Sequence, residues 1–126
     1  MRRGIEIAIY LTPGLHDEDF VALAIGNLAA CRLQRDRGET LEWQVLRVES
    51  SSGYHFRLVV HHRERLLDIG IKGDLSRILK DLSDETMEQL RERFQSAQRE
   101  GLRPVPLRRV KEEDDLWSDD FWKFIG

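Results

Sequence analysis

The chain of 126 residues is 40% hydrophobic and 34% charged, and its formal net charge is −3 at pH 7. A chain of this length and apolar content folds around one core and is too apolar to be wholly disordered. The single cysteine, Cys31, excludes an intramolecular disulfide, and the first apolar run is broken by Glu6 and Pro13 before it reaches the length of a signal peptide or membrane span, so we expect a cytoplasmic protein.

The chain begins with the pattern of a strand followed by a helix. Isoleucine or leucine occupies every second position of GIEIAIYL, which predicts a strand. Carboxylates then open an amphipathic stretch, and arginines close it just before Gly38. Because this charge order matches the helix dipole and glycine favours helix ends, we predict a helix from Asp17 to Arg37.

Two hairpins are predicted next. Strands over residues 41–49 and 53–63 flank a serine-glycine turn and form the first hairpin. A turn at Arg63 and Glu64 would give the second hairpin, in a register that sets Leu58 opposite Ile69. Apolar residues of the 41–49 strand point to both sides, so this strand either has a bulge near Val45 or is partly covered on both faces.

Helical periodicity returns at Asp74, restarts at Ser83 as an N-cap and stops at Gly101. We therefore predict an α+β domain over residues 1–101, a Pro/Arg-rich linker over residues 102–111 and an acidic-aromatic C-terminal segment over residues 112–126. The expected fold is a two-layer sandwich: a mainly antiparallel four-stranded sheet in the order strand-helix-strand-strand-strand-helix, with the helices on one face.

No catalytic residue, metal ligand or cofactor is predicted. His55 and His61 share a strand face but lie roughly 20 Å apart, and His61 and His62 point to opposite faces. The GIKGD stretch lacks the spacing of a phosphate-binding loop. Because nothing places a nucleophile, a base and an oxyanion donor together, we expect a protein that is not an enzyme.

The C-terminal segment is the most informative part of the sequence. It holds six of the 23 acidic residues and one of the 20 basic residues, so it carries −5 while residues 1–111 carry +2. Aromatic side chains recur among these carboxylates, with Ser118 as a helix N-cap. The partner-binding residues predicted here are Leu116, Trp117, Phe121, Trp122, Phe124, Asp114, Asp115, Asp119 and Asp120.

This composition predicts an adaptor or regulatory module that docks through the segment into a basic, apolar-lined groove. The groove would belong to another protein or to a second copy of the chain, which gives a homodimer. Alternatively, the segment packs on its own domain and completes the fold. No membrane partner is expected.

A second hypothesis is association with nucleic acid through a basic sheet face and linker, with the acidic segment as a competitor. The residues predicted for this role are His55, Arg57, Lys72, Arg108 and Arg109. Salt dependence separates the two hypotheses, because phosphate binding weakens steeply as salt is added.

Overall fold

A computed structural model describes residues 4–12, 16–61 and 68–123 of the chain. The described residues form four strands and four helices. In chain order these are β1 (Gly4–Ile9), α1 (Glu18–Arg37), β2 (Glu42–Ser50), β3 (Gly53–His61), α2 (Asp68–Ser83), α3 (Met87–Arg99), β4 (Leu107–Lys111) and α4 (Asp119–Trp122).

The strands form one mixed sheet in the order β1-β3-β2-β4. β3 pairs antiparallel with both β1 and β2, and β4 pairs parallel with β2. Leu58 at the centre of β3 lies opposite Ile7 on one side and Val45 on the other. The predicted α+β fold with a mainly antiparallel four-stranded sheet is confirmed, and β1 takes an edge position.

The second predicted hairpin is wrong. The chain from Asp68 is a helix, and Ile69 is 87% exposed instead of facing Leu58. Ile71, Leu75 and Ile78 are buried at helical spacing, so the apolar stripe begins one turn before Asp74, where we predicted the helix to start. The short alternation of apolar and polar residues around Ile69 therefore belongs to a helix and not to a strand. The turn predicted at residues 63–64 lies outside the described residues.

The predicted linker is wrong for Leu107–Lys111, which forms β4. In the parallel register Val48 lies beside Val110. Parallel strands need a long crossover, and here it runs through β3, α2 and α3. The N-cap of α3 is Thr86, in a capping box with Gln89, and not Ser83 as we predicted.

Two apolar clusters lie on opposite faces of the sheet. The larger one joins β1, β2 and β3 to α1, α2 and α3, so these three helices cover one face, as predicted. The smaller one lies on what we call the second face, formed by Leu46, Val48, Val59 and Val110. The pairing of β2 with β3 has no bulge between Glu42 and Ser50, so β2 is instead covered on both faces.

Gly26 lets α1 approach the sheet closely. A Cβ atom at this position would lie 2.6 Å from Val45 Cγ2 and 2.9 Å from Val45 Cγ1. Gly26→Ala should therefore lower the free energy of unfolding, because overpacking costs about 1–3 kcal/mol and the gain in helix propensity is about 1 kcal/mol. Urea unfolding measures the change.

Gly73 in α2 is the matched control, since a Cβ there meets no atom within 4 Å. Gly73→Ala should raise stability by up to about 1 kcal/mol. Adding Val45→Ala to Gly26→Ala should recover part of the overpacking cost in a double-mutant cycle. If Gly26→Ala stabilised the protein as much as Gly73→Ala, the close packing of α1 on β2 would be disproved.

Candidate functional site

The C-terminal segment leaves β4 through a tight turn. Glu112 N donates to Glu49 O over 3.1 Å, which extends the strand pairing by one bond. Asp114 Oδ2 then accepts a hydrogen bond from Lys111 N over 2.8 Å. Ser118 Oγ accepts from Phe121 N over 3.2 Å and caps the single turn of α4, so the predicted N-cap is confirmed. These local bonds give the segment a defined path across the sheet.

Two aromatic residues of the segment are buried on the second face. Trp122 is 3% exposed and Phe121 is 6% exposed, and both pack against the apolar side chains of β2, β3 and β4. The indole N–H of Trp122 donates to Leu116 O over 2.8 Å. Burial of one Trp side chain with its polar atom satisfied is a large stabilising contribution, so Trp122 is the main anchor of the segment.

Trp117 and Leu116 are half-buried at the margin of this cluster. The Trp117 ring stacks on Trp122, with centroids 5.8 Å apart and planes inclined by 19°. Its indole N–H donates to Glu6 Oε1 over 3.1 Å, which fastens the segment to β1. Part of each side chain remains in contact with solvent.

Arg108 on β4 contacts the C-terminal segment at Phe121. Its guanidinium lies 3.7 Å from the centre of the Phe121 ring, and Nη1 donates to Phe121 O over 2.5 Å and to Gln44 Oε1 over 3.1 Å. Burial lowers the pKa of Arg108, and the negative charge of Asp114 acts in the opposite direction. The Arg108 guanidinium thus contacts the C-terminal segment both by a hydrogen bond and by a cation–π contact.

The groove chemistry predicted for a partner is therefore present within this chain. The second face is apolar with a basic residue, Arg108, and the C-terminal segment lies on it. Of the predicted partner-binding aromatics, Phe121 and Trp122 are buried there, Trp117 is half-buried, and Phe124 lies outside the described residues. The geometry favours packing of the segment on its own domain.

The carboxylates of the segment face the other way. All six acidic residues are exposed, and we call this group the acidic surface: Glu112, Glu113, Asp114, Asp115, Asp119 and Asp120. Lys123 Nζ lies 3.0 Å from Asp120 Oδ1, which places one cation at the end of this surface. The aromatic and acidic residues that alternate in sequence are thus sorted in space, the aromatic ones inward and the acidic ones outward.

Of the residues predicted for nucleic acid, Arg57 and Lys72 line one groove, whereas Arg108 and Arg109 lie on β4. Arg57 Nε donates to His55 Nε2 over 3.0 Å, and both residues lie on β3. Lys72 belongs to α2, and not to a strand opposite His55 as the predicted register required. Arg108 lies beneath Phe121, whereas Arg109 is exposed with Nε 3.8 Å from Glu49 Oε1.

His61 lies between a carboxylate and an aromatic ring. His61 Nδ1 lies 3.4 Å from Glu42 Oε2, and its ring centre is 5.6 Å from that of Trp122, while His62 lies outside the described residues. In the described part of the chain, no three His, Cys, Asp or Glu side chains come together in a group that could hold a metal ion. None of the helices described for this chain has the length and apolar character needed to cross a membrane.

Asn27 is a structural residue that the sequence analysis missed. It is fully buried in α1, where Oδ1 accepts from Trp43 Nε1 over 3.0 Å and from Val105 N over 2.9 Å. Its Nδ2 donates to Leu23 O over 2.9 Å and to Val105 O over 3.0 Å. Asn27 thereby ties the chain just before β4 to α1, and so positions the strand that carries Arg108.

No protein-family model matches the chain, and no curated protein matches it. Support for a function therefore has to come from the geometry and charge of the described residues.

Proposed function

We propose that the protein is a non-enzymatic protein–protein interaction module, an adaptor or regulator, that docks through its C-terminal segment to a basic, apolar-lined groove on a partner. One observation carries the proposal. The segment exposes all six of its carboxylates, while buried Phe121 and Trp122 hold it at a fixed place on the sheet.

An acidic segment that is already ordered has two advantages in binding. Little further conformational entropy is lost on docking, because the turn at Asp114 and the cap at Ser118 are formed beforehand. The concentrated negative charge also steers a basic surface toward the segment and accelerates association. The exposed parts of Leu116 and Trp117 add apolar contact beside the carboxylates.

This assigns different roles to the two kinds of residue. The acidic surface contacts the partner, whereas Phe121 and Trp122 keep the segment in place and reach a partner only if the segment leaves the second face. We predicted that the aromatic residues contact the partner; of those that the structure describes, only half-buried Trp117 is available for that role in the folded arrangement. A cytoplasmic location stays a prediction from the sequence.

Replacing four aspartates of the acidic surface should slow association with the partner. In Asp114→Asn, Asp115→Asn, Asp119→Asn and Asp120→Asn together, the amide oxygen retains the acceptor that the turns require. We expect an association rate about tenfold lower at low salt, a flatter salt dependence and a nearly unchanged dissociation rate. Surface plasmon resonance over a salt series measures these three quantities.

The partner for this measurement is obtained by cross-linked affinity capture with the intact protein and with the fourfold variant, in parallel. A matched control removes four exposed carboxylates elsewhere: Asp81→Asn, Asp84→Asn, Glu88→Gln and Glu92→Gln. If the control variant lost as much binding, the effect would come from the net charge of the protein and not from the acidic surface. A partner that binds all three proteins at one rate would contradict docking through the acidic surface.

The basic residues predicted for nucleic acid support that role less well, because Arg108 lies under Phe121. Arg57 and Lys72 line one groove, but the carboxylate of Glu6 lies in the same lining. Arg109 is exposed at the other edge of the sheet, beside Glu49.

A further inference from the structure

A groove of about 560 Å³ runs along β1 and α2. Glu6 and Ala8 of β1 line one wall, followed by Tyr10 just after the strand. Lys72, Ser76 and Lys80 line the other wall, at every fourth position of α2. Thr12 Oγ1 donates to Ser83 O, which ties the end of the β1 wall to the end of α2. The groove is therefore bounded by two connected elements.

The floor of this groove lies beside an unpaired strand edge. β1 pairs with β3 on one side and ends the strand order of the described sheet on the other. The backbone N–H and C=O groups on the outer side of an edge strand are those to which an added strand binds. α2 contacts β1, and side chains of both elements line the groove.

The groove has more basic than acidic side chains in its lining, which favours an acidic ligand. Lys72 and Lys80 are exposed, and neither forms an ion pair within the described residues. Arg57 contributes a third cation, and the single carboxylate of the lining, Glu6, already receives Trp117 Nε1 and faces Arg57 Nη1 at 3.5 Å. The lysines thus offer a ligand two cations that no carboxylate of the described residues neutralises.

Tyr10 adds an anchor at one end of the groove. Its side chain is 79% exposed, one of the most exposed large hydrophobic side chains in the described part of the chain. An exposed aromatic ring beside a strand edge gives apolar contact area to a side chain near the end of an added strand.

We propose that the groove accepts an extended acidic peptide segment of a partner protein, which adds to the sheet as a fifth strand beside β1. Backbone hydrogen bonds to β1 supply the register, Lys72 and Lys80 pair with acidic side chains on one face of the peptide, and Tyr10 packs against its end. This inference does not rest on the proposed function, although the groove adjoins the C-terminal segment at Glu6, which accepts from Trp117 Nε1.

The test uses a defined probe, a fluorescein-labelled peptide of about ten residues, enough to pass one strand, with Glu and Thr in alternation. Two control peptides separate the contributions. One carries Gln in place of Glu and loses the charge; the other is N-methylated at alternate residues and loses backbone donors. We expect the Glu peptide to bind at least about tenfold tighter than either control.

Protein variants locate the binding. Lys72→Glu with Lys80→Glu should abolish the preference for the Glu peptide over the Gln peptide. Arg99→Glu with Arg103→Glu makes the same charge change at exposed positions elsewhere and should preserve that preference. In ¹⁵N-resolved NMR spectra the bound peptide should shift the amides of β1 and slow their hydrogen exchange, whereas those of β4 should be unaffected.

Several results would overturn the inference. Equal affinity for the N-methylated peptide would show that no strand is added, and shifts in α2 without shifts in β1 would show the same. Binding of a single-stranded oligothymidine in preference to the acidic peptide would make the groove a nucleic-acid site. Concentration-dependent dimerisation that Lys72→Glu and Lys80→Glu abolish would assign it to a second copy of this chain, and no binding by the Glu peptide would reject it outright.

Discussion

Trp122→Ala is expected to lower the free energy of unfolding by about 3–5 kcal/mol, the usual cost of removing a large buried aromatic side chain. The residue is 3% exposed, packs on the second face and stacks on Trp117. The substitution also leaves Leu116 O without the indole N–H that it accepts over 2.8 Å. Few other side chains combine so many contacts between the segment and the sheet.

Urea unfolding with tryptophan fluorescence gives the free energy, and calorimetry gives the thermal midpoint. Removal of every residue after Lys111 should lower the midpoint by about 10 °C or more, because each kcal/mol shifts a domain of this size by several degrees. Trp117→Ala is the matched control. As a half-buried residue at the cluster margin, it should cost distinctly less than Trp122→Ala.

An unchanged midpoint after truncation, together with loss of partner binding, would mean that the segment docks in trans and that its place on the second face is unimportant. The proposed function makes the opposite forecast. Truncation should lower both the stability and the partner binding, whereas the fourfold aspartate variant should lower binding while stability changes little. The two sets of variants therefore separate the anchoring role of the aromatics from the docking role of the carboxylates.

Local patterns predicted those elements whose signals are complete within a short stretch of chain. α1 has carboxylates in its first turn, arginines in its last turn and Gly38 with φ of 65° after its end, and the helix occupies nearly the predicted residues. The hairpin of β2 and β3 turns between Ser50 and Gly53, where the serine-glycine cluster predicted it. In both cases propensity and packing favour the same structure.

β4 could not be predicted in the same way. LRRVK contains two apolar residues among three basic ones, which is a weak strand signal, and it follows two prolines. Its partner, β2, lies more than fifty residues earlier, and no local pattern specifies a parallel pairing at that distance. The prediction of where α2 begins was wrong for a related reason, since Ile69 and Ile71 fit the pattern of a short strand as well as that of a helix.

One feature of the sequence of β2 indicated where the C-terminal segment packs. Leu46 and Val48 point to the face of β2 opposite Val45, so an apolar surface on that side needed a cover. Trp122 and its neighbours were the aromatic residues left without a predicted place in the fold. Composition alone could not decide between this sheet and a partner, because both offer an apolar surface with a basic residue.

Asn27→Leu is expected to lower the free energy of unfolding by about 3 kcal/mol, although leucine is close to asparagine in volume and more apolar. The substitution leaves the indole N–H of Trp43 and both backbone groups of Val105 without their partner. Each unsatisfied polar group costs about 1–3 kcal/mol when water is excluded, and partial access of water to Trp43 and Val105 reduces that cost. Urea unfolding measures the loss.

Trp43→Phe is the matched control for Asn27→Leu, because it removes one donor and leaves the bonds between Asn27 and Val105 in place. It should cost about 1 kcal/mol from the lost hydrogen bond.

Hydrogen exchange provides a local readout. The Val105 amide should lose protection in Asn27→Leu and keep it in Trp43→Phe, and the amides of β4 should follow Val105 since Asn27 fixes the chain that leads into that strand. Full protection of Val105 in Asn27→Leu would show that β4 and Arg108 are held by the sheet alone. Loss of protection that extends from Val105 to the Phe121 amide would show that one buried amide in α1 governs how firmly the C-terminal segment is held on the sheet.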